Sequence, residues 1–364
     1  MIGRKLHNLQ YLRAVAAVSA VVFHADSTLP LAHSGTYFPF SAGVGLGVFF
    51  IISGFIMMYT SVSDFGQPAG WWRFARRRLA RIVPLYWTLT LVTFAVKLAV
   101  RGDVTVVQLI KSLFFIPFRS SQGVVPVLTV GWTLNMEMLF YIIFTVCLLL
   151  PRKIGIWAVV ALLASIAALS YAPFMATAPP ELKFFTATEL LEFVAGMGLG
   201  YLCLEDVELP FKLSAPWVAT VAVLTAAIGF TASAFLQFPG KWNSAFYYSF
   251  AIIPVAIAVL GADLPPKNFL SRFLEKLGDV SYSLYLCHPF VCFVLRSVVV
   301  KAGLMAMPIW LYFVLAVSLS CVAAIIINML IEKPFSKWAD VALKNWSSGF
   351  ERGRRPMSPV KVGE

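Results

Sequence analysis

Charge is what this chain has least of. Only 13% of its 364 residues are Asp, Glu, Lys or Arg and 60% are hydrophobic, whereas a soluble domain carries about 25% charged residues. That imbalance excludes an ordinary water-soluble globule. It points to an all-α polytopic membrane bundle whose core is buried against lipid as well as against itself. Cysteine is sparse too. Cys147, Cys203, Cys287, Cys292 and Cys321 all lie in or beside apolar runs, and their spacing suits neither a metal site nor a disulfide framework. No phosphate-binding glycine loop, GxSxG elbow or HxxxxD pattern occurs, so nucleotide cradles and serine-hydrolase chemistry in their usual sequence forms are excluded. No tandem repeat is visible, and no stretch is left for an added soluble domain.

What is present is a set of long apolar runs separated by short basic loops. Ten runs of near-bilayer length fall at about 9–28, 43–62, 84–101, 131–150, 154–171, 185–204, 214–236, 245–262, 279–300 and 309–330. Residues 104–118 are shorter, interrupted by Lys111 and closed by Pro117, which predicts an interfacial or re-entrant helix. Arg4 and Lys5 precede the first run as in a signal peptide, but Arg13 and His24 interrupt it and no small-residue cleavage site follows, so it reads as a retained first helix. With the N-terminus inside, the inner segments hold 20 Lys and Arg and the outer ones 6. This bias predicts N-in, C-in topology in a cytoplasmic membrane. The net charge of +12 is therefore topological, and no nucleic-acid partner is expected. Residues 1–338 form the transmembrane domain in this reading, and 339–364 a disordered basic tail. Gly196 and Gly200 make a small-xxx-small pattern suited to close helix packing.

Four segments carry polar residues that a membrane helix does not hold cheaply. Arg13 and His24 lie eleven residues apart on the first helix, about three turns or roughly 16 Å along one stripe. An Arg at a bilayer centre costs roughly 2.5–3.5 kcal/mol, so the stripe faces a protein interior unless Arg13 snorkels to headgroups and His24 is a packed, interfacial histidine. Five arginines fall within 73–81. Arg78 and Arg81 share a helical face and suit phosphate recognition, against the plainer reading of a positive-inside anchor, and Pro84 is expected to open the next span. In GWTLNMEMLFY, Glu137 lies about 9 Å below the outer face if the span starts at Gly131. There it would meet His24 and fix its tautomer, or else serve a buried Tyr or Trp. In GDVSYSLYLCHPF, Ser281, Tyr282, Ser283, Tyr285 and His288 offer hydroxyls and an imidazole beside Pro289. They either orient a substrate or hold helices together. Glu332 in IEKPF reads as a helix-end ion pair.

Taken together and in order, LRAVAAVSAVVFHA, GVGLGVFFIISGFIM, RRRLARIVPLYW, GWTLNMEMLFY, GDVSYSLYLCHPF and IEKPF resemble the membrane acyltransferase-3 family of bacterial O-acyltransferases, over about residues 6–335. The text LHNLQYLRA looks closest to the exopolysaccharide-production acetyltransferases. The family's Arg-x10-His matches Arg13 and His24, and its Arg-x-x-Arg matches Arg78 and Arg81. The resemblance implies transfer of an acetyl or succinyl group from cytoplasmic acyl-CoA to a hydroxyl of an extracytoplasmic or lipid-linked glycan. Acetyl-CoA is then a co-substrate, with no metal. It assigns His24, Glu137 and Arg13 to catalysis, with His24 either a general base or a carrier of the acyl group. Arg78, Arg81 and Arg13 would hold CoA, and Trp132, Tyr285, His288 and Ser283 the acceptor. A homodimer stays open. The alternative from another class is a proton-coupled secondary transporter or exporter, because intramembrane His, Glu and Arg also build proton relays.

Overall fold

The computed structural model describes residues 6–29, 42–100, 102–120, 123–208, 217–218, 220–225, 227–228, 250–261, 263 and 265–353. They form, in chain order, α1 (His7–Ser27), α2 (Ala42–Ser61), α3 (Gly70–Val100), α4 (Val106–Leu113), α5 (Trp132–Cys147), α6 (Arg152–Leu169), α7 (Pro180–Phe185), α8 (Leu190–Leu204), α9 (Ile252–Leu260), α10 (Phe269–Asp279), α11 (Ser281–Lys301), α12 (Ile309–Ile327) and α13 (Lys333–Gly353). Among the described residues the strand content is one hairpin, β1 (Arg119–Ser120) against β2 (Gly123–Val124).

Seven helices among the described residues are long and apolar enough to cross a membrane. The protein is an all-α polytopic membrane bundle. The expected count of ten differs for identifiable reasons. α1 has the 21-residue length of a span, but Asn8, Gln10, Arg13, His24 and Asp26 dilute its apolar character. Residues 214–236 lie mostly outside the described residues. Of 245–262, the described part contributes only the nine-residue α9.

Pro84 does not open a new span. It sits inside α3, a single 31-residue helix about 46 Å long, so the arginine cluster and the third span share one rod. Proline removes one backbone donor. Around Pro84, Tyr282 OH donates to Ile82 O (2.8 Å) and Thr88 Oγ1 to Pro84 O (2.8 Å), and nearer the start of the rod Arg76 Nε meets Asp340 at 3.4 Å and the Trp72 and Trp346 rings lie 5.5 Å apart. Asp340 and Trp346 belong to α13, which follows α12 through a π-helical segment at Asn328–Glu332. Residues 339–353, expected within a disordered tail, are therefore helical, because α3 gives one side of α13 a surface to pack on. Residues 354–364 lie outside the described residues. Within the 104–118 segment only Val106–Leu113 is helical, eight residues that are too few to cross a membrane. A capping box between Thr105 and Gln108 starts α4, and Trp87 Nε1 donates to Leu113 O at its end (2.8 Å).

The closest helix pairing sets α2 against α8. A Cβ on Gly196 would stand 2.0 Å from Ile51 O, and one on Gly54 2.1 Å from Phe193 O. Only glycine permits this backbone approach, and the small-residue pattern read in the sequence falls at that contact. At the start of α3, buried Asp64 accepts from Arg73 Nε (3.0 Å), Arg73 Nη2 (2.7 Å) and Arg77 Nη2 (2.8 Å). Two of the five arginines are thereby bound to one carboxylate.

Gly196→Ala should lower stability by about 1–3 kcal/mol through overpacking, read as thermal unfolding in detergent. Gly198→Ala on the same helix, where a Cβ meets nothing within 4 Å, should be neutral or stabilising; equal losses at both positions would refute the close-approach reading. Asp64→Asn should cost about 2 kcal/mol, the scale of hydrogen bonds to charged groups, in the same measurement.

Candidate active site

α1, α2, α3, α5 and α11 enclose a cavity. Its wall includes Arg13, Ser53, Arg78, Arg81, Glu137, Tyr141, Ser281, Tyr282 and Tyr285, with Leu46, Phe49, Phe50, Ile56 and Met57 supplying apolar surface. Helical spacing explains each contribution. Arg78 and Arg81 are three apart on α3, Glu137 and Tyr141 four apart on α5, and Ser281 and Tyr285 four apart on α11. Each pair projects from one face.

Arg13 does not snorkel. It is 8% exposed, and its guanidinium donates to Ser281 Oγ (2.9 Å) on α11 and to Gln10 Oε1 (3.2 Å) on its own helix. The arginine cluster divides by face. Arg73 and Arg77 bind Asp64, and Arg76 binds Asp340. Arg78 and Arg81 turn into the cavity and form no ion pair among the described residues. Arg78 Nε is buried without a hydrogen-bond partner, its guanidinium 5.9 Å from the Phe74 ring centre. Three guanidinium groups and one carboxylate, Glu137, thus face the same space. An arginine stays charged in proteins, so the wall is a site for a polyanion.

Glu137 does not meet His24. Its Oε1 accepts from Ser53 Oγ (2.5 Å) and from Tyr141 OH. The expected meeting fails because the segment that leads into α5 is packed inside the protein. The turn Thr129–Gly131 is folded into the bundle, with Val130 and Gly131 buried and Val130 O accepting from Tyr285 OH (3.1 Å). A Cβ on Gly131 would stand 2.6 Å from the Tyr86 ring, so glycine lets this turn sink inward. Glu137 thereby shares a cavity wall with Arg13, Arg78 and Arg81.

His24 lies outside the cavity lining and has a different neighbour. Its ring centre is 5.0 Å from that of His288 on α11, the planes tilted by 44°. The Arg13–His24 stripe therefore faces α11 along its length, through Ser281 at one end and His288 at the other. Tyr285 links the two regions. It lines the cavity, its ring is 5.8 Å from His288 and 5.8 Å from Phe49, and its hydroxyl is shared with Thr133 Oγ1 (3.1 Å).

The remaining expectations divide. Trp132 is not in the cavity wall; it packs edge-on against Phe50 and Phe184, each with ring centres 6.4 Å away. Ser283 is committed elsewhere, donating to Glu332 Oε2 (2.5 Å), which also accepts from Asn328 Nδ2 (2.8 Å). Glu332 is therefore not a helix-end ion pair among the described residues but a buried acceptor within the π-helical segment. The five cysteines are free. No three His, Cys, Asp or Glu side chains converge as a metal site would require, among the described residues. The other reading of Glu137, as the partner of a buried Tyr, is the one the structure shows, with Tyr141 as that Tyr; Ser53 was not foreseen. Tyr141 carried a signal, four residues beyond Glu137 on the same face, whereas Ser53 in an apolar run carried none.

Residues 6–329 match the acyltransferase domain family that the sequence motifs resemble. The exopolysaccharide production protein ExoZ of Rhizobium meliloti (strain 1021) is 36% identical over 296 residues, 78% of this chain and 84% of that protein. The O-acetyltransferase OatA of Staphylococcus aureus (strain NCTC 8325 / PS 47) is 26% identical over 92% of this chain but 58% of its own length. For the putative peptidoglycan O-acetyltransferase YrhL of Bacillus subtilis (strain 168) the figures are 26%, 91% and 55%, so the chain spans little more than half of these last two. No solved structure matches. On the match across nearly the whole chain, together with its apolar helices, this chain belongs to the membrane acyltransferase-3 family and is an integral membrane acyltransferase.

Proposed function

We propose that the protein moves an acetyl group, or a close acyl analogue such as succinyl, from cytoplasmic acyl-CoA to a hydroxyl of an extracytoplasmic or lipid-linked polysaccharide. The observation that carries this reading is the arginine wall. Arg13, Arg78 and Arg81 face one cavity while their neighbours Arg73, Arg76 and Arg77 are paired with carboxylates. A polyanionic donor cannot enter hydrocarbon unaided, and a cavity walled by Arg13 and by Arg78 and Arg81 of the basic cluster meets that need. The positive-inside bias of the loops supports placing the arginine end at the cytoplasm, with both termini on that side of a bacterial cytoplasmic membrane. ExoZ, named for exopolysaccharide production, and the two O-acetyltransferase relatives support the acceptor class.

In this mechanism Arg78 and Arg81 hold the phosphates of CoA, and Arg13 holds the deeper part of the carrier. Ser53 and Tyr141 keep Glu137 turned toward their hydroxyls, so the carboxylate does not neutralise the arginines through a direct ion pair. The acyl arm reaches toward His24 past Phe49 and Tyr285, whose rings bound the cavity on that side. His24 removes the proton of the acceptor hydroxyl as its oxygen attacks the thioester carbonyl. The new C–O bond forms, the C–S bond breaks, and the CoA thiolate recovers the proton from His24. Every residue in this scheme belongs to one copy of the chain. Membership of an acyltransferase family sets aside the transporter alternative.

His24→Ala should abolish acetyl transfer from labelled acetyl-CoA to a glycan acceptor while leaving CoA affinity unchanged; surviving turnover would remove His24 from the reaction. Arg78→Ala and Arg81→Ala should each weaken CoA binding about 10-fold or more, the scale of a charged hydrogen bond. Unchanged affinity in both would overturn the assignment of the cavity to the donor.

A further inference from the structure

His288 is fully buried, yet it is only half hydrogen-bonded. Its Nδ1 lies 3.1 Å from Leu284 O. A carbonyl oxygen can only accept, so Nδ1 carries the hydrogen and Nε2 of the neutral ring carries the lone pair. That Nε2 is buried with no hydrogen-bond partner. A buried acceptor without a donor is costly and rare, so its retention in the middle of a membrane helix calls for a donor supplied during function.

Among the described residues, the aromatic neighbours of His288 are two. The Tyr285 ring is 5.8 Å away, but its hydroxyl is occupied by Val130 O and Thr133. The other is His24, with ring centres 5.0 Å apart, close enough for a modest ring rotation to bring two imidazole nitrogens into hydrogen-bond range. The carboxylate that would otherwise orient His24 is engaged by Ser53 and Tyr141. His288 is itself braced: its Nδ1–H is anchored to its own helix, and Pro289 next to it leaves the Tyr285 carbonyl without its usual backbone donor, which makes this turn of α11 acceptor-rich.

We propose that His288 is the positioning residue of His24. Its Nε2 accepts the N–H of His24, which sets the tautomer of that ring and leaves the other His24 nitrogen free to take the acceptor proton. This inference rests on the reading of His24 as the base. The sequence reading had grouped His288 with substrate-binding residues; here it acts through His24 instead.

The test compares His288→Leu, His288→Gln and His288→Asn in purified full-length protein, with His24→Ala alongside. Leu removes the acceptor, Gln restores a carbonyl oxygen at similar reach, and Asn holds it one methylene short. Loss of kcat of about 10²-fold, the cost of a misplaced catalytic group, is expected for Leu and Asn. KM for acetyl-CoA should stay within about twofold, the pattern of an interaction made only in the transition state, and Gln should recover at least a tenth of wild-type kcat. Where Leu does not yield folded protein, the Gln and Asn pair decides. Equal activity of Gln and Asn, or losses that follow thermal stability in all three, would overturn the proposal and leave His288 a packing residue. If His24→Ala keeps its turnover, the base assignment fails first and the dyad with it. If His24→Ala is dead while His288→Leu retains kcat, the dyad alone falls.

Discussion

A guanidinium group keeps its charge in a protein and cannot be left bare in hydrocarbon. Much of this bundle is arranged around that constraint. Arg13 lies on a membrane-length helix and reaches across to Ser281 Oγ, which ties α1 to the first residue of α11. Arg73 and Arg77 fold back on Asp64, and Arg76 meets Asp340 on the last helix. Those contacts bring α13 beside α3 and fix the rotation of α3 about its axis. Given that rotation, Arg78 and Arg81 have one direction left, which is inward. The cavity is where the uncompensated charge is collected.

Collecting positive charge at one end of a membrane cavity also organises the chemistry. The polar wall holds one carboxylate, and it is kept by two hydroxyl donors rather than by an arginine. Beyond Tyr285 the character changes. His24 and His288 face each other away from the arginines, where imidazole is not forced to compete with three cations. The proposed mechanism uses this separation, because anion binding and proton abstraction favour opposite electrostatic surroundings.

Close packing supports the arrangement. Glycine lets α8 approach α2 to backbone contact at Gly196 and Gly54, and it lets the turn before α5 sink against Tyr86 at Gly131. The second of these bears on a functional side chain. With the turn before α5 buried inside the bundle, Glu137 lines the same cavity as the arginines. Nothing in the local text GWTLNMEMLFY announces that burial, since Gly before a Trp reads equally well as a loop at the membrane face.

From its sequence alone this chain is an apolar helical bundle with its basic loops on one side, carrying a short list of polar residues that lipid would not tolerate. Periodicity also settles that Arg13 and His24 share a stripe and that Arg78 and Arg81 share a face, because a helix repeats every 3.6 residues wherever it lies. What periodicity does not encode is how far one helix slides along its neighbour, or which of two acceptable partners a side chain finds. That is why Glu137 pairs with Ser53 and Tyr141 rather than His24, why Ser283 belongs to Glu332, and why Pro84 lies within a continuous α3. Tyr141 is a neighbour along the same helix, but the Ser53–Glu137 and Ser283–Glu332 contacts join residues tens of positions apart and are decided only when the helices pack. The tertiary structure gave His24 its neighbour, and that neighbour is another histidine.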